Sequence, residues 1–280
     1  MKETNLQSTL PLIRSKPVQK YIIDMSLLAQ KLPHMSSDCC KIKFRSGKYE
    51  IKVHIKGDQP WSIENFDVVV YSAVSSLYEA GNRAFTVSMV ARTMMGYQQA
   101  STVSPKLCNA ITLSIEKMRN LTIEIFAPGK EYRGKVLHLA PYQARNDNGT
   151  PCTHYGYVIE PVLLSYCKDL GHLSRYPIQA VNTIGQLNNT IETIVVRHFV
   201  LRRIAVVARS GRFSKISYDT IAEECGVTKA KARRICVAVL KHLTAQKIIW
   251  GHDEYKIDRE YAGAELKSPE ESERSSPQKT

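Results

Sequence analysis

The sequence lacks the features that identify membrane, secreted and metal-binding proteins. No apolar run approaches the ~20 residues that a helix needs to cross a bilayer, so we expect no membrane partner. The seven cysteines form no Cys-x-x-Cys pair, and an odd number without a secretory signal favours a reducing, cytoplasmic location. Cys152 and His154 resemble the start of a metal site, but no second pair of ligands follows them. We therefore expect neither a metal nor another cofactor.

Motifs of nucleic-acid enzymes are also missing. The phosphate-binding loop Gly-x-x-x-x-Gly-Lys-Ser/Thr does not occur, because Gly47-Lys48 and Gly129-Lys130 both lack the upstream glycine. Rolling-circle nucleases and relaxases combine a His-hydrophobe-His motif with a nucleophilic tyrosine; this chain has 14 tyrosines but no His-x-His. Its acidic residues are scattered, whereas two-metal nucleases need a carboxylate cluster. We therefore expect a protein that is not an enzyme.

What the sequence does contain is a large excess of positive charge. The formal net charge is +13 and the isoelectric point is about 9.4, which indicates a polyanionic partner. Residues 262–280 carry four glutamates against three lysines and arginines, so the excess belongs to the chain that precedes them. With 43% hydrophobic residues, the chain has enough apolar side chains to build packed cores.

Residues 217–257 carry the strongest local pattern. A short helix is predicted from Tyr218 to Cys225, and Gly226 stands where a left-handed residue ends a helix. Thr228 is a good N-cap for a longer second helix. Apolar residues recur along that helix at three- and four-residue steps, which predicts one buried stripe: Ala232, Ile235, Cys236, Val239 and Leu243. This order is typical of a helix-turn-helix.

The other side of the second helix is basic. At ~100° per residue its cations fall outside the apolar stripe or on its flank: Lys229, Lys231, Arg233, Arg234 and Lys241. An apolar back with a guanidinium-rich front suits the major groove of double-stranded DNA, where arginine pairs with guanine or binds phosphate. We expect the first two turns to read bases and Lys241 to contact the backbone. The alternative is an ordinary helical hairpin with a solvated basic face.

A β-wing is predicted after this helix. Lys247–Trp250 and Glu254–Ile257 have strand character, and Gly251–Asp253 joins them. In a winged helix the first helix crosses near the DNA backbone, so basic residues before the helix-turn-helix are expected either to neutralise phosphates or to stay solvated. The further DNA contacts expected in these segments are Arg202, Arg203, Arg212, Lys215 and His252.

That first helix is predicted over Leu187–Ser210, the longest helical pattern in the chain. Asn189 and Glu192 resemble a capping box at its start. His198 falls on its inner face, where we expect a histidine satisfied within the core and not a metal ligand.

The first half of the chain shows a similar order of elements. Three helices are predicted: one over 66–77, a shorter one that ends at Gly96, and one from Ser104 to Met118. Strands are predicted after them at Leu121–Phe126 and Lys135–Leu139. The outward face of the third helix is less basic than its C-terminal counterpart, with Lys106, Asn109, Ser114, Lys117 and Arg119. We therefore expect weaker DNA binding there, or protein contacts instead.

Two segments add to this repeat. Cys40–Phe44 and Tyr49–Ile55 alternate apolar residues with lysines or arginine and predict a hairpin. We favour a solvent-exposed sheet edge, whose lysines prevent pairing with other strands, over a ribbon that contacts DNA. Residues 141–153 are polar and rich in turn formers, which predicts a loop.

These patterns predict an α+β, helix-rich fold with two tandem winged-helix domains and flexible termini. A flexible basic arm covers 1–20, and an N-terminal winged-helix-like domain with the extra hairpin covers 21–172. The C-terminal winged-helix DNA-binding domain covers 173–261, and a disordered tail covers 262–280.

The predicted arrangement resembles the replication initiators of bacterial theta-type plasmids and related mobile elements. The resemblance lies in two tandem winged-helix units, the helix between them and the strongly basic folded part. It also lies in the segment Arg175-Tyr176-Pro177-Ile178, which begins the second unit. The resemblance implies binding to directly repeated origin sites, with the C-terminal unit the stronger sequence reader. It also implies that the first unit contacts DNA and a second protomer of a homodimer, and that host replication proteins are recruited. The alternatives are a winged-helix transcriptional regulator and a non-catalytic partitioning or interaction adaptor.

Overall fold

The structure, a computed structural model, combines helices with small antiparallel sheets, which confirms the predicted α+β class. It describes residues 10–14, 16–18, 21–24, 39–46, 49–57, 62–96, 103–170, 173–182, 188–210, 217–245, 249–250 and 265–266.

Helices and strands alternate in groups along the chain. The helices are α1 (Asn65–Glu79), α2 (Val87–Met95), α3 (Pro105–Asn120), α4 (Val162–Asp169), α5 (Ile178–Val181), α6 (Ile191–Ser210), α7 (Tyr218–Cys225) and α8 (Lys229–Ala245). The strands are β1 (Tyr21–Asp24), β2 (Cys39–Ser46), β3 (Tyr49–Lys56), β4 (Ala84–Phe85), β5 (Thr122–Ala127), β6 (Lys130–Lys135), β7 (Leu139–Arg145), β8 (Pro151–Tyr157), β9 (Ser174–Pro177), β10 (Ile249–Trp250) and β11 (Glu265–Leu266).

The first three helices occupy the predicted positions. At the start of α2, the Thr86 hydroxyl accepts a hydrogen bond from the Met89 amide at 3.3 Å. At its end, Gly96 adopts a φ of +72°, the left-handed conformation that glycine reaches without strain. Ser104 caps α3, and Pro105 follows at the first helical position, where no amide donor is needed.

A four-stranded antiparallel sheet in the order β2-β3-β5-β6 packs one face into the core. Its first two strands confirm the predicted hairpin and attach to the rest of the sheet by pairing of β3 with β5, for example His54 opposite Glu124. The return strand predicted at Lys135–Leu139 is wrong. The chain turns at once through Gly129, at a φ of +73°, so that β6 begins at Lys130.

The loop predicted over 141–153 is also wrong, because two paired strands occupy most of it. Strand β7 pairs with β8 from Leu139 opposite Tyr157 to Arg145 opposite Pro151. Residues 146–150 form the turn, with the Thr150 amide donating to the side chain of Asn146 at 3.0 Å. Turn-forming residues lie in the strands as well as between them, so composition alone does not separate strand from turn.

The flexible arm predicted over 1–20 contains an ordered segment. The Ile13 amide donates to the carbonyl of Arg145 at 2.9 Å, and the Arg145 amide donates to Pro11 at 2.8 Å. The Lys16 amide donates to the side chain of Asn82 at 2.8 Å, and Asn82 donates back to the Lys16 carbonyl at 2.9 Å. This part of the arm therefore lies along the first unit; residues 1–9, 15 and 19–20 lie outside the described residues.

The second unit contains the predicted long helix and helix-turn-helix. Thr190, not Asn189, caps α6, accepting from the Thr193 amide at 3.3 Å. The side chain of Asn189 instead accepts from Arg197 at 3.2 Å, which removes it from the predicted capping box. Strand β10 pairs with β11, so Glu265–Leu266 form part of a sheet, contrary to the prediction of a disordered tail at these two residues. The predicted second wing strand, 254–257, lies outside the described residues.

The two predicted domains share one continuous core. Strand β1 from the first pairs with β9 from the second, with Ile22 opposite Tyr176. Gly96 at the end of α2 packs so closely against the turn of α5 that an added Cβ would lie 2.8 Å from the backbone nitrogen of Asn182. The buried side chains of both units form a single cluster.

Candidate nucleic-acid interface

The turn between α7 and α8 is held by hydrogen bonds at each cap. The Ser217 hydroxyl accepts from the Thr220 amide at 3.1 Å, and Gly226 ends α7 with a φ of +63°. The Val227 amide donates to the Ala222 carbonyl at 2.9 Å, and the Thr228 hydroxyl accepts from the Lys231 amide at 3.3 Å. The predicted roles of Gly226 and Thr228 are confirmed.

The predicted apolar stripe of α8 is fully buried. It packs against α6 and α7 through Ala232, Ile235, Cys236, Val239 and Leu243. Burial raises the pKa of the Cys236 thiol to about 12, so this cysteine is protonated at neutral pH and serves as a small apolar side chain.

The opposite face of α8 presents cations to solvent. Arg233, Arg234 and Lys241 are all exposed, on the side away from the stripe. Arg233 and Arg234 lie in the second helical turn, while Lys241 lies about two turns further along. Because the buried stripe fixes how the helix is rotated, these cations face outward as a group.

The two lysines nearest the start of α8 are held in ion pairs. The Lys229 ammonium lies 2.7 Å from the carboxylate of Asp219 on α7, with both side chains largely exposed. The Lys231 ammonium lies 3.5 Å from the carboxylate of Glu192 at the start of α6. Exposed pairs of this kind are weak, so both lysines can exchange their partners for phosphates.

Arg202 does not lie where a DNA contact is expected. It is 2% exposed, and its guanidinium donates to the side chain of Asn65 at 3.4 Å. The same Asn65 donates to the backbone carbonyl of Glu224 at 2.5 Å. Arg202 is therefore part of the contact between the two units, and the prediction that it contacts phosphate is incompatible with this placement.

Arg203 is half-buried beside Arg202. Its guanidinium lies 5.5 Å from the centre of the Phe199 ring, and burial lowers its pKa. The remaining predicted contacts, Arg212, Lys215 and His252, lie outside the described residues.

Between the units lies a polar cluster that the sequence patterns did not predict. The carbonyl of Met94, at the end of α2, lies 2.7 Å from Nε2 of His198 and 3.2 Å from Nη2 of Arg197. Because a carbonyl only accepts, Nε2 carries the hydrogen, and Nδ1 accepts from the Tyr176 hydroxyl at 2.6 Å. The sequence pattern predicts that the arginines of α6 face solvent or DNA. Arg197 lies in the interior instead, because the end of α2 contacts α6 at this position.

The same contacts show that His198 is a core residue. Burial, reinforced by the charge of Arg197, lowers its pKa to about 3, so the ring is neutral at physiological pH. Among the residues that the structure describes, no group of three or more histidine, cysteine or acidic side chains is placed to hold a metal ion. Cys152 Sγ and His154 Nδ1 lie 3.8 Å apart on β8.

A cleft of about 270 Å³ also lies between the units, and it is acidic. Its walls include Glu64 beside α1, Glu192 on α6, and Glu223 and Glu224 on α7. Carboxylates repel phosphate, so this cleft is unsuited to a polyanionic ligand.

The outward face of α3, the third helix of the first unit, carries fewer cations than that of α8. Ser114 and Lys117, predicted to face outward, turn toward α1, where they bond to Asp67 at 2.7 and 2.8 Å. Leu113 is 71% exposed, and Lys106 is exposed near the start of the helix. The outward face of α3 is therefore less basic than that of α8, as predicted.

The fold and this surface define an α+β protein with a basic helical hairpin. The chain is similar to the crystal structure of RctB domains 2–3 (RctB 155–483), with a TM-score of 0.43 and 12% identity over 81% of this chain and 84% of that chain. A selenomethionine derivative of domains 2 and 3 of RctB gives a TM-score of 0.41 and 12% identity over 83% and 85%.

No family model and no curated protein matches the sequence. Of the helices within the described ranges, none is both long enough and apolar enough to cross a membrane.

Proposed function

We propose that the chain is a sequence-specific double-stranded DNA-binding protein, and that α6, α7, α8 and the strands after them act as a winged helix. The observation that supports this most is the orientation of α8. Its buried stripe directs Arg233, Arg234 and Lys241 outward together, on the second helix of a tightly capped turn. A helix of this kind fits the major groove, where the first turns of a recognition helix contact base edges.

The proposed mechanism separates base reading from phosphate binding. Arg233 and Arg234 pair with guanine, whose O6 and N7 atoms accept two hydrogen bonds from one guanidinium. Lys241, further along α8, binds the DNA backbone, and Lys229 and Lys231 add phosphate contacts when DNA displaces their carboxylate partners. Each phosphate neutralised steepens the dependence of affinity on salt by about 0.9 in a log–log plot.

The first unit acts as a second, weaker contact. Its helices share a core with the second unit, so binding of α8 brings the first unit to the same duplex at high effective concentration. The overall charge of +13 supports contacts along an extended length of DNA.

We further propose that this protein is a replication initiator of a plasmid or an integrative mobile element, acting without catalysis of its own. The tandem order of the units and their resemblance to such initiators support this role, which includes repeated origin sites, host replication proteins and self-association. A transcriptional regulator with the same reading helix is the alternative function.

Mapping the bound DNA tests both parts of the proposal. Footprinting of the region around the gene should show protection, and repeated sites beside an AT-rich segment indicate an origin. One operator over a promoter indicates a regulator. The absence of any protected sequence contradicts specific DNA binding.

A replication assay then separates the two functions. A plasmid that carries only this gene and its flanking DNA should replicate in a suitable host. The matched control is the same plasmid with Arg233 and Arg234 both changed to alanine. Failure of the unchanged plasmid, together with repression of a promoter by the same protein, contradicts the initiator role and favours the regulator.

A further inference from the structure

The outer face of the sheet β2-β3-β5-β6 carries cations and an aromatic ring that the proposed duplex contact does not use. Alternate residues of these strands point to opposite faces, and the inner set is buried: Ile51, Val53, Ile55, Ile123, Ile125 and Tyr132. The outer set includes Lys52, Lys56, Phe126, Arg133 and Lys135, each at least partly exposed. We call this set the sheet platform.

Phe126 lies near the end of β5, between strands β3 and β6. Its ring centre lies 5.0 Å from the ring of His54 and 5.6 Å from the guanidinium carbon of Arg133. In the strand register it lies opposite Lys52 on β3. The partly exposed ring is thus bordered by Lys52 on β3 and, on β6, by the ion pair of Arg133 with Glu131, the direct partner of Phe126.

The platform has more positive than negative charge. On β3, β5 and β6 its four cations face two carboxylates, Glu124 and Glu131. Glu124 lies 3.8 Å from the ammonium of Lys56, and Glu131 lies 2.7 Å from the guanidinium of Arg133. Such exposed pairs are weak, so phosphates can compete for both cations.

We infer that the sheet platform binds single-stranded nucleic acid. An unpaired base stacks on Phe126, while Lys52 and Arg133 contact the phosphates on either side of it. A duplex does not fit, because its bases are stacked inside the helix and cannot reach a ring on a sheet. A protein partner fits poorly, because the cores of protein interfaces are depleted of lysine.

The size of the platform agrees with this ligand. Four strands at ~4.8 Å spacing are about 14 Å across, and four-stranded sheets that bind RNA stack two or three bases. This activity goes beyond the proposed duplex binding and does not depend on it, because it uses no residue of α8.

Binding of the full chain to a labelled oligothymidylate of about 16 nucleotides tests the inference by fluorescence anisotropy. Phe126→Leu keeps the apolar volume but removes the ring, so we expect about tenfold weaker binding, whereas Phe126→Trp should retain affinity. Lys52→Gln combined with Arg133→Gln should also weaken binding about tenfold. This double variant should reduce the salt slope by about 1.4, because two phosphate contacts are lost at ~0.7 each.

Two controls distinguish this surface from the rest of the protein. Lys106→Gln with Arg175→Gln removes the same charge from exposed positions elsewhere and should leave oligothymidylate binding within about twofold. Arg233→Ala with Arg234→Ala should lose specific duplex binding yet retain oligothymidylate binding, so failure of one proposal is separable from failure of the other.

Three results overturn the inference. The first is unchanged oligothymidylate affinity of a folded Phe126→Leu variant, with folding checked by circular dichroism. The second is an equal loss of affinity in the Lys106→Gln, Arg175→Gln control. The third is a change of oligomeric state in the platform variants without a change in nucleic-acid affinity, which would identify the face as a protein interface.

Discussion

Helices α3 and α8 hold the same place in their units, yet they use their polar residues differently. Each is the third helix of a group, and each is followed by strand. On α8, Arg233, Arg234 and Lys241 project into solvent. On α3, Lys117 is held by the buried carboxylate of Asp67. The order of elements therefore does not determine which unit presents a basic surface; the direction in which the cations point does.

The remaining polar side chains of α3 support the same contrast. Arg119 pairs with Glu116 at 2.5 Å and donates to the Leu139 carbonyl at 3.0 Å. Glu116 in turn accepts from the Tyr155 hydroxyl at 2.9 Å. These residues connect α3 to the sheet β4-β8-β7, so their charges stabilise the first unit and are not free to bind DNA.

Removal of the carboxylate that holds α3 should have the largest effect. Asp67 accepts from Ser114, Lys117 and the amide of Glu64, all within 2.8 Å. Asp67→Ala removes the buried acceptor of three hydrogen bonds and leaves Lys117 the Ser62 carbonyl as a partner, so we expect a loss of about 3 kcal/mol of unfolding free energy. Chemical denaturation measures this, with Asp219→Ala, which removes an exposed carboxylate, as the matched control. Equal losses of unfolding free energy in the two variants would show that the Asp67 cluster stabilises the fold no more than an exposed carboxylate does.

Removal of the outward arginines of α8 should have the next largest effect, on binding alone. Arg233→Ala with Arg234→Ala removes the two proposed base contacts and should weaken specific duplex binding by about 3 kcal/mol, a loss of more than a hundredfold. The matched change on α3, Lys106→Ala, should weaken it only a few-fold. Titration of the mapped site measures both, and the melting temperature of each variant should stay close to the original. Similar losses of duplex affinity from the α8 and α3 variants would contradict the proposal that the second unit is the stronger DNA reader.

The contact between the units should be sensitive to acid through His198. Its pKa is lowered to about 3 in the folded chain, whereas the ring in an unfolded chain titrates near 6.5. The unfolded chain therefore binds the proton first as the pH falls, so stability is lost below pH 6.5 and down to about pH 3. We expect about 2 kcal/mol of this loss between pH 7 and pH 5.

A substitution isolates that contribution. His198→Gln should be less stable at pH 7 but should show a smaller decrease between pH 7 and pH 5 than the original protein. Denaturation curves at both values measure the difference. Parallel pH profiles of the two proteins would exclude His198 as the source.

The smallest effect is expected at the ion pair that starts α8. Asp219→Asn removes the carboxylate beside Lys229 and makes the lysine available to phosphate, so duplex affinity should rise two- to threefold at low salt. Stability should change by less than about 0.5 kcal/mol, because both side chains are exposed. Anisotropy at two salt concentrations measures the gain. A decrease in affinity would place Asp219 itself, not Lys229, in the contact.

Much of the helical framework could be predicted from local patterns. The stripe of α8, the left-handed Gly226 and the cap at Thr228 lie within a few turns of one another, so spacing and residue type suffice to predict them. The hairpin β2–β3 was equally predictable, because both strands alternate in the same short segment.

Pairings between distant segments could not be predicted in this way. The arm at Ile13 pairs beside Arg145, and β1 pairs with β9, across about half of the chain. Neither strand has a strong pattern of its own, and each gains its hydrogen bonds only when the distant partner is in place.

The sequence by itself determined the helices, their buried stripes and the excess of positive charge, because these depend on residues that are neighbours along the chain. Tertiary structure alone decided the role of each cation. Arg202 and Arg233 have the same chemistry and both lie on basic helices, yet one is 2% exposed against Asn65 and the other faces solvent. A guanidinium in water can bind DNA, whereas one enclosed between two units is committed to hydrogen bonds inside the protein.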